Sequence, residues 1–218
     1  VFTLNEALPS GRSGTGLGPG FTDLTYERTA LPFHSSGQVK VINLIYAVTE
    51  WNLNENLQIG IGLAGPLGIL GTVRYRFSLG KEVHLGLSNQ TLFPPFAQFD
   101  NDLIMLGDVS AMLTLGDERR FLNLGTGMFY NTDDFEEPLN AHRFGIGGRV
   151  SNRVHLYAEA LMVLNNDDFS RELSLLPSAN VSIGARRHRW RFGVFSLFFD
   201  EDSFVPPPLP YVGYTYYW

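Results

Sequence analysis

Apolar side chains fall on every second residue along most of this chain. Leu57, Ile59, Ile61 and Leu63 alternate with Gln58, Gly60, Gly62 and Ala64, and Val73, Tyr75, Phe77 and Leu79 alternate with Thr72, Arg74, Arg76 and Ser78. The same period runs through Val83, Leu85 and Leu87, through Leu122 and Leu124, through Phe144 and Ile146, and through Ala179, Val181 and Ile183. A two-residue period means an extended segment with one apolar face. Ile42, Leu44, Tyr46 and Val48 fit it too, so residues 42–49 are expected to form one strand. Residues 56–73 carry no charge, which raises a membrane-crossing helix, but glycines, Pro66 and the alternation itself exclude one. No amphipathic helix pattern competes elsewhere. With blurrier segments around 103–115, 154–164 and 190–199 and a weaker one near 24–31, the count is about twelve strands (10–14), of a length suited to tilted crossing.

The connections alternate in size. Those at 52–56, 80–82, 116–120, 151–153 and 186–189 are short, while those at 94–102, 132–140, 165–177 and 200–210 are long. Two connections in long-loop positions, near 33–37 and at 65–68, are brief. The long loops hold most acidic clusters, and the short turns hold Lys81, Arg119, Arg120, Arg153, Arg186, Arg187 and Arg189. In an up-and-down meander alternate connections lie at opposite ends, so the object is polarised: acidic loops at one end, basic turns at the other.

Alternation does not say what the apolar face meets. Three features decide for lipid. A closed barrel of about twelve strands is too wide for one layer of side chains to fill. Its non-apolar face carries Arg74, Arg76, Asp108, Arg143, Arg149 and Glu159 in mid-strand, costly against lipid and natural in a lumen. Trp51, Trp190 and Trp218 all fall at the short-turn end, where a membrane–water interface satisfies both the indole ring and its N–H. Composition agrees: charged residues make up only 17%, low for a soluble protein. Cysteine is absent, so neither disulfides nor a thiolate metal site can form. A net charge of −6 argues against a nucleic-acid partner. No cofactor is implied.

On these residues the chain resembles bacterial outer-membrane β-barrel proteins, with a general look of uncharacterised barrels from Bacteroidota. The most specific piece is the last strand, where Val212, Tyr214, Tyr216 and Trp218 alternate towards a closing aromatic, though Phe is more usual than Trp there. The resemblance implies that this row is an assembly signal read by the barrel-assembly machinery. It also implies an outer-membrane location, periplasmic termini, extracellular long loops, and outer-membrane lipid as a partner. The expected fold is all-β, a single antiparallel up-and-down transmembrane barrel over residues 24–218. Residues 1–23, rich in Gly, Ser and Pro, would either plug the lumen or lie in the periplasm.

The inward charges carry two readings. Arginines lining a pore favour anions; alternatively Arg74, Arg76, Arg143 and Arg149, with Arg191, pair with Asp108, Glu159 or loop acids and brace the barrel. Register puts Glu159 opposite Gly145 and diagonal to Arg143, which supports bracing. The outer-membrane phospholipase family sets a His and a Ser two residues apart on an outward strand; here Phe144 follows His142, so that pattern fails and no enzyme is expected. His84 and His155 read as polar lumen fillers. Asp133, Asp134, Glu136 and Glu137, and Asp167 and Asp168, offer oxygen ligands without EF-hand spacing, so no metal site is assigned. Loop aromatics Phe96, Phe99, Phe135, Phe169 and Phe204 would anchor loops or form a protein-binding rim. The leading expectation is a narrow pore for small solutes or anions. The alternative is a non-conducting barrel that docks other outer-membrane or periplasmic proteins.

Overall fold

The computed structural model describes residues 30–31, 35–94, 98–99, 102–103, 105–117, 119–132, 139–151, 153–164, 173–185, 187–196, 198 and 207–218. In chain order the strands are β1 (Gly37–Ile42), β2 (Tyr46–Asn52), β3 (Leu57–Ala64), β4 (Ile69–Ser78), β5 (Val83–Phe93), β6 (Gln98–Phe99), β7 (Asp102–Leu103), β8 (Leu106–Asp117), β9 (Arg120–Asn131), β10 (Leu139–Ser151), β11 (Val154–Leu164), β12 (Leu173–Ala185), β13 (His188–Phe195) and β14 (Leu209–Tyr217). A 3-10 turn, Gly65–Leu67, joins β3 to β4. All except β6 and β7 close into one barrel of sequential antiparallel neighbours, and β6 and β7 form a two-residue hairpin in the loop after β5. No helix among the described residues is long and apolar enough to cross a membrane, which says nothing of a β-barrel.

Closure falls between β1 and β14, where Val39 faces Tyr216 and Val41 faces Tyr214. Ser36 N donates to the Trp218 carbonyl at 3.0 Å, and the Trp218 ring lies over Gly37, where a Cβ would sit 2.5 Å from the indole. With the seam bonded along its length, the barrel has no free strand edge among the described residues.

The first described barrel strand begins at Gly37, and most of the strand expected near 24–31 lies outside the described residues. Residues 42–49 are not one strand. They are the tip of a hairpin, because Asn43 and Leu44 adopt φ of 47° and 58° and Ile45 N bonds the Ile42 carbonyl. That is a two-residue type I′ turn, which alternation alone cannot reveal. The brief outer connection is therefore 43–45, while residues 35–36 lie at the short-turn end beside Trp218.

The two faces invert the pattern of a soluble protein. Ile61, Val73, Leu87, Leu124, Phe144, Ile146, Leu156 and Phe192 point outward and are exposed, whereas Gln38, Lys40, Glu50, Arg74, Asn123, Arg143, Ser182 and Thr215 are buried. An arginine on the lipid face at mid-depth costs about 2–4 kcal/mol, and the period of two sets the mid-strand arginines Arg74, Arg76, Arg143 and Arg191 on the inside. The interior is tiered. Near the long-loop end Ile42, Tyr46, Val48, Leu70 and Tyr211 form one apolar cluster, and Ala141, Leu161 and Leu176 form another. Ile42, Tyr46 and Val48 thus face the lumen, not lipid as their alternation suggests. Most of the polar residues lie below these clusters.

Candidate functional site

The lumen is where the chemistry concentrates. Strand alternation places Lys40 on β1, Glu50 on β2, Arg74 and Arg76 on β4, Asp108 on β8, Arg143 on β10, Glu159 on β11, and Arg189 and Arg191 on β13, all buried. Arg149 is half-buried, directly opposite inward-facing His155. All six expected lumen residues are therefore on the inner side. Lys40, Glu50 and Arg189 join them. Lys40 precedes the strand that the sequence pattern suggested, and Arg189 reads as part of a basic turn until the turn is seen to end before His188. Among described residues, Lys40, Arg74, Arg76, Arg143, Arg189 and Arg191 stand against Glu50, Asp108 and Glu159 as buried charges, so the lumen carries an excess of positive charge.

These groups meet each other. Arg143 Nη2 lies 2.7 Å from Asp108 Oδ2, reaching across β9. The space between is kept open by Gly125, where a Cβ would come within 2.9 Å of Met112 Sδ and 3.2 Å of Arg143 Cβ. Glu159 does sit opposite Gly145, and its Oε1 accepts from Ser178 Oγ at 3.1 Å, which in turn accepts from Asn180 at 3.0 Å. Arg191 donates to Thr215 Oγ1 at 2.6 Å and to the Tyr211 hydroxyl at 3.4 Å. Arg189 donates to His155 Nδ1 at 2.7 Å and Ser182 Oγ at 3.1 Å. At the short-turn rim Arg76 donates to the Glu55 carbonyl, and Gln38 donates to the Glu50 carboxylate. His84 Nδ1 lies 2.7 Å from Ser78 Oγ. Side chains on separate strands are thereby tied across the barrel.

The chain itself enters the lumen. Ala30 N donates to Thr114 Oγ1 at 2.8 Å in a buried bond, its Cβ lies over Gly86, and Leu31 packs with Phe121 and Tyr157. Residues 1–23, expected as plug or tail, lie outside the described residues, as do Asp133, Asp134, Glu136, Glu137, Asp167 and Asp168 and the aromatics Phe96, Phe135, Phe169 and Phe204. Among the described residues no cluster of His, Asp or Glu could hold a metal ion.

The three tryptophans are all at the short-turn end, Trp51 and Trp190 exposed on the outer face. Around them lies an aromatic girdle. Trp190 packs on Tyr214 at 4.8 Å between centroids and His188 on Tyr216 at 5.3 Å, while His188 Nδ1 lies 2.6 Å from the Tyr214 hydroxyl. Val212, Tyr214 and Tyr216 all face outward, as expected of the closing row. On the outer face His142 Nδ1 lies 3.3 Å from Thr126 Oγ1, a neighbour that adjacent-residue reasoning missed because β9 supplies it.

The architecture is that of an outer-membrane β-barrel. No protein-family model matches the sequence, and no curated protein matches it. The chain is similar in fold to OccK3 (OpdO) of Pseudomonas aeruginosa, with 8% identity and a TM-score of 0.47 over 82% of this chain and 59% of that one. This chain therefore spans about six-tenths of the length of OccK3. It is also similar to the outer membrane protein OmpT of Vibrio cholerae: a loop L8 deletion mutant gives 9% identity and a TM-score of 0.39 over 84% of this chain and 96% of that one. The in-vitro folded OmpT gives 9% and 0.38 over 84% and 94%.

Proposed function

We propose that this chain is an outer-membrane barrel whose lumen is held shut by its own side chains in this state, and that it serves as a non-conducting barrel within an outer-membrane assembly. The observation carrying the reading is that inward polar and charged side chains on every barrel strand are buried rather than wet. The Arg143–Asp108 ion pair and hydrogen bonds tie them across strands, and Ala30 and Leu31 lie among them. In this reading the short-turn end, with both Ser36 and Trp218, is periplasmic and the long loops are extracellular. Val212, Tyr214, Tyr216 and Trp218 guide assembly, and lipid contacts the belt. Docking partners are other outer-membrane or periplasmic proteins.

One observation favours a second reading, a gated anion pathway: the buried cations outnumber the buried acids. Purified protein in planar bilayers separates the two. A silent bilayer supports the closed barrel, and stepwise, anion-preferring conductance that falls in Arg74→Ala or Arg76→Ala overturns it. No catalytic role is part of this reading; lipase activity in detergent that disappears in His142→Ala would overturn that.

A further inference from the structure

The barrel wall is uneven in height. β1, β2 and β3 have 6, 7 and 8 residues, whereas β8, β9, β10 and β12 have 12, 12, 13 and 13. At a rise of ~3.4 Å per residue and a tilt near 40°, strands of six to eight residues stand roughly 16–21 Å tall, short of an apolar band of about 25 Å. The short-turn end is fixed at the interface: Trp51, Trp190 and Trp218 lie on this short side or beside the seam, and Lys81, Arg119 and Arg153 hold the turns in water. The whole deficit therefore falls at the opposite rim.

That rim is built for it. The turns at 43–45 and 65–68 carry no charge, and Leu44, Ile45 and Leu67 are 95%, 59% and 61% exposed. The two turns touch, since a Cβ on Gly65 would meet Ile45 Cγ2 at 2.7 Å. Asn43 ties the tip to the seam, giving its N–H to the Val212 carbonyl and accepting the Val212 N–H on Oδ1, both at 2.9 Å. Leu44 stands where a type I′ turn calls for Gly, in a left-handed conformation that disfavours a side chain. Among the described residues nothing repays that strain, because the side chain is almost wholly exposed. Directly behind the rim, facing the lumen, lies the cluster of Ile42, Tyr46, Val48, Leu70 and Tyr211.

We propose that this low wall ends within the hydrocarbon and that Leu44, Ile45 and Leu67 lie among lipid tails. Exposed apolar surface is continuous from the outer belt onto the turns, with the buried cluster behind it, and an acyl chain is the occupant such a surface fits. The inference rests on the barrel crossing a membrane, not on whether it conducts.

The absence of cysteine allows a direct test. Leu44→Cys, Gly80→Cys and Ile146→Cys, each spin-labelled in phosphatidylcholine vesicles, report local collisions with oxygen and with a water-soluble nickel chelate. The Leu44 label is expected to match the mid-belt Ile146 label, with an oxygen-to-nickel ratio severalfold above that at Gly80 in its exposed turn. A Leu44 label as nickel-accessible as Gly80, beside a protected Ile146 label, overturns the sunken rim. An exposed Ile146 label would instead overturn membrane embedding itself. Phospholipid carrying a diazirine in its acyl chain is expected to cross-link Leu44, Ile45 and Leu67 as well as belt residues such as Ile146. Adducts on belt residues alone overturn the sunken rim.

Discussion

Arg143 reaches over β9 to place its Nη2 2.7 Å from Asp108 Oδ2, with both groups almost wholly buried. The bond links β8 to β10 across β9, whose Phe129 ring lies 5.8 Å from the guanidinium and whose Gly125 leaves room for the Arg143 stem. A ring of such ties turns a wide barrel into a braced one. Removing one member of a buried pair strands a charge and costs about 3–5 kcal/mol, whereas replacing both with apolar side chains is close to neutral. Arg143→Ala is therefore expected to lower the urea midpoint for unfolding from lipid vesicles sharply. The pair Arg143→Met with Asp108→Leu should recover most of it.

The N-terminal residues in the lumen give a second expectation. Leu31 packs on Phe121 and Tyr157, so Leu31→Asp sets an unpaired charge against them and should expel the segment. If Ala30 and Leu31 help close the barrel, this variant passes current in planar bilayers where the parent passes none. Equal silence in both would remove them from the closure.

Leu44 is predicted to be a strained residue kept for its surroundings. In detergent, Leu44→Gly should stabilise the barrel by about 1–2 kcal/mol, the usual cost of a left-handed side chain. Leu44→Asp should slow insertion into vesicles, read by the gel-mobility shift between unfolded and folded forms. If both variants behave as the parent, the turn is neutral to its environment.

Gly68 has φ of 136°, and a Cβ there would lie 2.1 Å from the Phe93 carbonyl oxygen. Backbone cannot yield as a side chain does, so Gly68→Ala should cost about 1–3 kcal/mol or more. Gly80→Ala, with open space around it, should leave the unfolding midpoint unmoved.

In the girdle, Trp190 and Tyr214 pack at 4.8 Å. A double-mutant cycle to Ala at these positions is expected to give a coupling of about 0.5–1.5 kcal/mol. Trp190 fluorescence should be quenched more by lipids brominated near the headgroup than near the tail end.

The sequence by itself determined much of this protein. A period of two over most strands, with arginines on one side and tryptophans at one end, dictates a lipid-facing barrel. Side-chain direction in a strand is fixed by parity, and charge cannot face lipid cheaply. It therefore placed Arg74, Arg76, Arg143, Arg149, Asp108 and Glu159 inside, together with the outward row of Val212, Tyr214 and Tyr216. Even the number twelve was legible, although the strand expected over 42–49 is the tip of a hairpin. Tertiary structure decided the rest, for a reason of distance and context. The Asn43–Leu44 turn lacks the glycine that would announce it, so the inward turn of Ile42, Tyr46 and Val48 was invisible. Arg143 meeting Asp108, His142 meeting Thr126 and Ala30 meeting Thr114 join residues far apart in sequence. Which partners meet across a barrel depends on closure, stagger and the reach of long side chains over glycines, and none of these leaves a local period to read.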